Sequence, residues 1–262
     1  MGAVERLPRD QNICLIDGDS LLYYEMDKPT LEEAIAGLEN RFATIMEQCN
    51  TNKYVGFLTE GRCFRYGVSP IYKGNRKGKS KPPVWYALRE YMRQTMGFYG
   101  YAALEADDLV SYYSYTIPHK TIVCSPDKDV LGQCTGMHYN YQKAEFWHTS
   151  AEDANKFLWK QVLMGDSTDN IKGLPGVGEK TSDNWLKNRK NDFEAFALKK
   201  YVEKFGMVEG VMKFHETFRL VYLLKTHEDV LRETGLDLPQ WGYEDFKVQQ
   251  LIVNEVEIEE PW

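Results

Sequence analysis

Nowhere in the chain do about 18 apolar residues run together, so the sequence offers no transmembrane helix. The first ten residues, MGAVERLPRD, lack the apolar core of a secretory leader, and a cytoplasmic location is expected. Cysteine is scarce: Cys14, Cys49, Cys63, Cys124 and Cys134 are an odd number without CxxC spacing, which points to reduced thiols. Internal repeats and low-complexity segments are missing too, and none of the five histidines lies in a motif. What remains is 262 residues with 43% hydrophobic, 13% aromatic and 27% charged residues, which is neither a disordered nor a fibrous composition. At roughly 150 residues per domain the length fits one to two domains. Burying roughly three quarters of the unfolded surface, such a chain folds without disulfides or a structural metal.

The net charge of −7, from 32 basic and 39 acidic residues, does not exclude a nucleic-acid partner, because the charge is unevenly spread. Between Gly61 and Arg89 stand Arg62, Arg65, Lys73, Arg76, Lys77, Lys79, Lys81 and Arg89, with no Asp or Glu among them. Acids gather elsewhere in short clusters and in the tail Glu255, Glu257, Glu259 and Glu260.

NICLID (12–17) reads as a buried strand feeding an Asp-Gly turn. Thr30 with Glu33 opens a helix over 30–48, whose apolar residues recur at helical spacing. YVGFL (54–58), CFRYG (63–67), TIVCS (121–125) and MHYNY (137–141) read as further strands. KGNRKGKSKP (73–82) is a basic loop, and Pro82-Pro83 opens an aromatic-rich helix over 83–97. LEADDLVSYYSY (104–115) is a helix that starts with three acids. Buried strands alternating with helices predict a mostly parallel sheet covered on both faces. After residue 150 the pattern turns helical, over 151–164, 179–188, 193–205 and 207–224, with the Gly-rich turn GLPGVG at 173–178. The expected organisation is an α/β body over 1–150 and a helical part over 151–262.

Acids stand where the strands end: Asp17, Glu60, and the pair Asp127 and Asp129. Ligands of open α/β sheets gather at that edge. Glu105, Asp107 and Asp108 begin a helix, and Asp166 and Asp169 a polar turn; residues three apart share a helix face. Each acid alone is a common helix-start residue, favoured by the dipole. Gathered together, so many carboxylates need cations, and hard divalent ions such as Mg²⁺ take oxygen ligands. Two such ions would serve a phosphoryl displacement.

These stretches resemble the structure-specific 5′-nuclease family of flap endonucleases and 5′→3′ exonucleases, and look closest to its phage members. The matching segments are LIDGDSLLY (15–23), FR…PIYKGNRK (64–77), LEADDLV (104–110), SPDKD (125–129) and MGDSTDNIKGLPGVGEKT (164–181), in the family's order. The resemblance implies a PIN-like nuclease body and metal-binding roles for Asp17, Glu105, Asp107, Asp108, Asp127, Asp129, Asp166 and Asp169. Glu60 stands near a position where members often have Asp, and joins the set as a longer substitute. Asp19 has no fixed counterpart and caps the next helix.

It further implies that Lys73 and Arg76 form the active-site basic pair, where negative charge builds on the phosphate. Lys77, Lys79 and Lys81 would line an arch over about 73–97, and Tyr23 would stack on a terminal base. GLPGVG would be the hairpin of a helix–hairpin–helix over about 164–188. There Gly173, Gly176 and Gly178, with Lys172 and Lys180, would meet duplex phosphates. Two Mg²⁺ ions, replaceable by Mn²⁺, and K⁺ at the hairpin are the implied cofactors. DNA with 5′ ends, flaps or nicks, and RNA/DNA hybrids, are the implied partners of a monomer with no membrane contact.

Two other readings differ in class. One is a structure-specific DNA-binding protein without catalysis, suggested by Glu60 and by Tyr23-Tyr24 where the family often has Arg. The other is a haloacid dehalogenase-type phosphatase, suggested by Asp17-Gly-Asp19 and GDSTD. That reading misses the usual spacing at Asp166 and Asp169, has Ser20 where Thr or Val is usual, and leaves EADD and GLPGVG unexplained.

Overall fold

The computed structural model describes residues 12–76, 78, 80–117 and 120–239. Strand β1 (Ile13–Asp17) is followed directly by α1 (Gly18–Glu25), α2 (Leu31–Gln48) and β2 (Tyr54–Phe57). Next come the single turn α3 (Arg65–Val68), a 3-10 turn at Gly74–Arg76, α4 (Pro83–Gln94) and α5 (Ala106–Thr116). Then follow β3 (Thr121–Cys124), α6 (Lys128–Gln133), β4 (Gly136–Asn140), β5 (Glu145–Thr149) and α7 (Ala151–Met164). The rest comprises β6 (Gly165–Asp166), β7 (Ile171–Lys172), α8 (Glu179–Leu186), α9 (Phe193–Phe205), α10 (Met207–Val221) and α11 (His227–Thr234).

The main sheet has the order β2-β1-β3-β4-β5, with the first four parallel and β5 antiparallel at the edge. All five residues of β1 are buried because both faces of the sheet are covered. Cys14 and Ile16 enter one core with α1, α2 and α4; Ile13 and Leu15 enter another with α5. A third core joins α7, α8, α9 and α10, and takes in Cys63 and Tyr72 from the loop before α4. In the first core the sulfurs of Cys14, Cys49 and Cys124 lie within 4.8 Å of one another.

The expected sheet is present, with some local differences. Residues 63–67 are not a strand: the Phe64 carbonyl accepts the N–H of Gly67 at 2.8 Å and closes the turn α3. That turn buries Arg65, which needs charged partners rather than a sheet neighbour. The aromatic helix stops at Gln94, because Gly97 takes a positive φ of 67° and turns Phe98 into the core. The helix expected over 207–224 ends at Val221. Helices α6 and α11, the edge strand β5 and the two-residue strands β6 and β7 lie outside the predicted elements, and α1 was expected only as a helix after Asp19, without bounds. No helix among the described residues is long and apolar enough to cross a membrane.

Candidate active site at the carboxyl edge of the sheet

Strand β2 flanks β1 on one side and β3 on the other, so the loops after β1 and β3 part and leave a crevice. Asp17 ends β1 and caps α1, accepting the Ser20 N–H at 3.2 Å and the Ser20 hydroxyl. Across the crevice, the Ser125 hydroxyl donates to Asp17 Oδ2 at 3.0 Å. Asp127 caps α6 and accepts the Asp129 N–H at 2.7 Å. Asp107 stands in the first turn of α5. The β6–β7 hairpin brings Asp166 and Asp169, with Asp166 fixed by the Thr168 N–H at 2.7 Å.

These elements enclose a cleft of about 860 Å³. Its wall carries eight of the nine expected acids, Asp17, Glu60, Glu105, Asp107, Asp127, Asp129, Asp166 and Asp169, together with Asp19. Five cationic side chains share the wall: Lys73, Arg76, Lys81, Arg89 and Lys128. Asp19 does not cap α1, a role Asp17 takes; its carboxylate instead accepts the Thr59 N–H at 3.3 Å. Glu60 is held by Arg89, at 3.1 Å, and by Arg93, both from α4.

Asp108 departs from the expectation. Its two oxygens take Arg65 Nη1 and Nη2 at 2.6 and 2.7 Å, and it also accepts the Glu105 N–H at 3.3 Å. It is 1% exposed and does not line the cleft. Three-residue spacing puts Glu105 and Asp108 on one face, but that face turns toward buried Arg65. Asp107 makes no hydrogen bond or ion pair with any described residue.

The carboxylates repel one another in two neighbourhoods that share Asp127. Burial, then Asp19, raises Asp17 to about 6. Burial and the charges of Asp17, Asp127 and Glu105 raise Asp107 well above the ordinary range. Burial, then Asp127 with Asp166 and Asp169, raises Asp129 to about 7. Glu105 goes the other way: burial opposes its charge, yet Lys73 and Arg65 outweigh it and hold the group at about 2. Asp166 is also lowered, burial being outweighed by its 2.9 Å contact with Lys128. The donor set is carboxylate and hydroxyl oxygen, which fits a hard divalent cation and not a soft one.

Lys73 adopts a positive φ of 49°, an uncommon backbone state outside glycine, and its N–H donates to the Asp169 carbonyl at 2.8 Å. That docks the loop on the β6–β7 hairpin and places Lys73 Nζ 2.5 Å from Glu105 and 3.5 Å from Asp169. Arg76 reaches Asp169 at 2.5 Å. Tyr23 is 46% exposed at the rim, with Lys81 bonded to its hydroxyl and 3.9 Å above its ring. Lys77, Lys79 and the acidic tail lie outside the described residues.

The residues expected to meet duplex phosphates, Lys172, Gly173, Gly176, Gly178 and Lys180, do not line the cleft. Lys172, Gly176, Gly178 and Lys180 are exposed, with Gly176 at φ 77° and Gly178 capping α8. Gly173 serves the fold instead: a Cβ there would stand 2.2 Å from the Met164 carbonyl carbon. Lys128 was readable within SPDKD, between two acids, and Asp19 within DGDS. Arg89 was marked only as the last member of the acid-free basic segment, not as a residue of the cleft.

No family model matches the chain. It is 25% identical over 276 residues to DNA polymerase I of Bacillus subtilis, covering 92% of this chain and 30% of that protein. It is 26% identical over 204 residues to a 5′-3′ exonuclease of Mycoplasmopsis pulmonis, covering 70% of this chain and 68% of the relative. The chain is a relative of the 5′-nucleases. The fold agrees: bacteriophage T5 flap endonuclease, solved with DNA and metal ions, superposes with a TM-score of 0.57 at 16% identity. That match covers 80% of this chain and 99% of the phage protein. The sequence likeness thus extends over 92% and 70% of the chain in these two matches, and the likeness to the phage structure is one of fold.

Proposed function

We propose that the protein is a divalent-metal-dependent 5′→3′ nuclease that hydrolyses phosphodiesters near 5′ ends of duplex, nicked or flapped DNA. The observation that carries this reading is the cleft itself: nine carboxylates converge from five chain segments, against five cations. Its neighbourhoods around Asp107 and Asp129 suit two Mg²⁺ or Mn²⁺ ions held by Asp17, Glu105, Asp107, Asp127, Asp129, Asp166 and Asp169. Bound there, such ions supply charge neutralisation and activation of water for in-line attack on phosphorus.

The chain's own residues supply the rest. Lys73 and Arg76, now on Glu105 and Asp169, stand at the cleft edge where a scissile phosphate would bring its charge. Water oxygen bonds to phosphorus, the bond to the 3′ oxygen breaks, and the products are a 3′ hydroxyl and a 5′ phosphate. Tyr23 offers an exposed ring for the terminal base. The segment α7–hairpin–α8 acts as a helix–hairpin–helix: the exposed turn at Gly176 and Gly178, with Lys172 and Lys180, grips duplex phosphates without reading sequence, with K⁺ as its ion. We assign the body to about residue 150 and the helical part to the remainder, and flap or primer removal during replication as the setting.

The test is cleavage of a flap-bearing duplex labelled at the 5′ or the 3′ end, in Mg²⁺ and in EDTA. Metal-dependent products released from the 5′ side support the reading. Tight binding of the flap without cleavage in either Mg²⁺ or Mn²⁺ would replace it with a non-catalytic DNA-binding role.

A further inference from the structure

The stretch that ends α10, Leu220–Leu224, is wired through buried polar side chains to two of the cleft carboxylates. One route runs through Arg65, 2% exposed. Its Nε donates to the Leu220 carbonyl at 2.9 Å and its Nη2 to the Tyr222 carbonyl at 2.8 Å. Its Nη1 donates to Glu105 Oε2 at 3.0 Å, and the fork closes on Asp108. The other route runs through two buried glutamines. Gln133 Nε2 donates to the Val221 carbonyl and to Gln161 Oε1, each at 2.7 Å, while Gln133 Oε1 accepts the Leu223 N–H at 3.1 Å. Gln161 Nε2 then donates to Asp129 Oδ1 at 2.7 Å.

The backbone fixes the direction of this second chain. The Leu223 N–H can only donate and the Val221 carbonyl can only accept, so Gln133 has one amide orientation. Gln161 must therefore present its oxygen to Gln133 and its N–H to Asp129. Both amides are almost wholly buried, Gln133 at 0% and Gln161 at 2%, where an unmatched polar atom is costly and a matched one is held rigidly.

We propose that the end of α10 sets the geometry of the cleft, with Arg65 and the Gln133–Gln161 pair as positioning residues for Glu105 and Asp129. The two anchored acids belong to the two neighbourhoods described above, so one backbone segment holds both halves of the metal site in register. This inference rests on the proposed metal-dependent reading. Partners behind a metal-binding carboxylate are worth about 10–100-fold in metal affinity or activity.

The test is Gln161→Leu, which removes the donor to Asp129 and leaves Gln133 its contact with Val221. Mn²⁺ binding is read by electron paramagnetic resonance, with thermal unfolding in EDTA and flap-DNA affinity in Ca²⁺ alongside. Mn²⁺ should bind about 10–100-fold more weakly, with DNA affinity unchanged. Gln161→Met, of similar length and likewise without a donor, should weaken Mn²⁺ as much, and serves if the leucine variant does not fold. Lower thermal stability with parental Mn²⁺ affinity would reduce Gln161 to a packing role and overturn the proposal. A parent that binds Mn²⁺ but does not cleave would sink the nuclease reading alone; a parent that binds none would sink both.

Discussion

The two sides of the first turn of α5 carry adjacent aspartates under opposite conditions. On the cleft side, Asp107 faces Asp17, Asp127 and Glu105 with no cation bonded to it, and its proton affinity rises. On the rear side, Asp108 has both oxygens matched to Arg65, whose five N–H groups are themselves all matched. One side is complete within the fold; the other holds charge that the fold does not neutralise. Buried charge is tolerated when it is paired, and the proposed function puts its external cation on the unpaired side.

Substitutions should separate the two sides. Asp107→Asn should lower flap cleavage by more than about a hundredfold, beyond what partners behind a ligand contribute, while DNA binding in Ca²⁺ persists. Asp108→Ala should act on stability first: stranding the Arg65 charge should cost about 3–5 kcal/mol in denaturant unfolding. Equal effects of the two on stability would erase the contrast.

Titration sharpens it further. Asp17, at about 6, and Asp129, at about 7, bind protons more tightly folded than unfolded. Without metal, stability should therefore rise as pH falls from above 7 toward 5. Glu105, at about 2, contributes the opposite way: its stabilisation is full above the ordinary glutamate range and fades as pH falls from about 4 toward 2. Melting temperature against pH in EDTA should pass through a maximum near pH 4–5, and a steady rise toward pH 8 would contradict the raised values. The smallest effect concerns the hairpin. Lys180→Ala should reduce the salt slope of duplex binding by about 0.9, and an unchanged slope would remove Lys180 from the phosphate contacts.

Much of this was legible in the sequence, for reasons that differ by element. β1, β2, β3 and β4 are short apolar runs buried on both faces, a signal that needs no tertiary knowledge. An acid just after a strand is placed by the sheet itself, which is why Asp17, Asp127 and Asp129 were found. Asp108 shows the limit: helical spacing says that it shares a face with Glu105, but not that Arg65, 43 residues earlier, owns that face. CFRYG fails likewise, because a buried arginine answers to carboxylates distant in sequence. β5 was missed because EFWHT is a half-exposed edge. Gln133 and Gln161 carry no local mark, since their roles exist only when α6, α7 and the end of α10 meet.

The most direct measurement is thermal unfolding of the parent and of Asp107→Asn, each in EDTA and in Mn²⁺. If the cleft side stores repulsion that divalent cations relieve, Asp107→Asn melts higher than the parent in EDTA. The gain should be about 2–4 °C for each kcal/mol of repulsion removed. Mn²⁺ then raises the parent strongly and the variant little. A variant that melts lower than the parent in EDTA, with an undiminished response to Mn²⁺, would contradict the account.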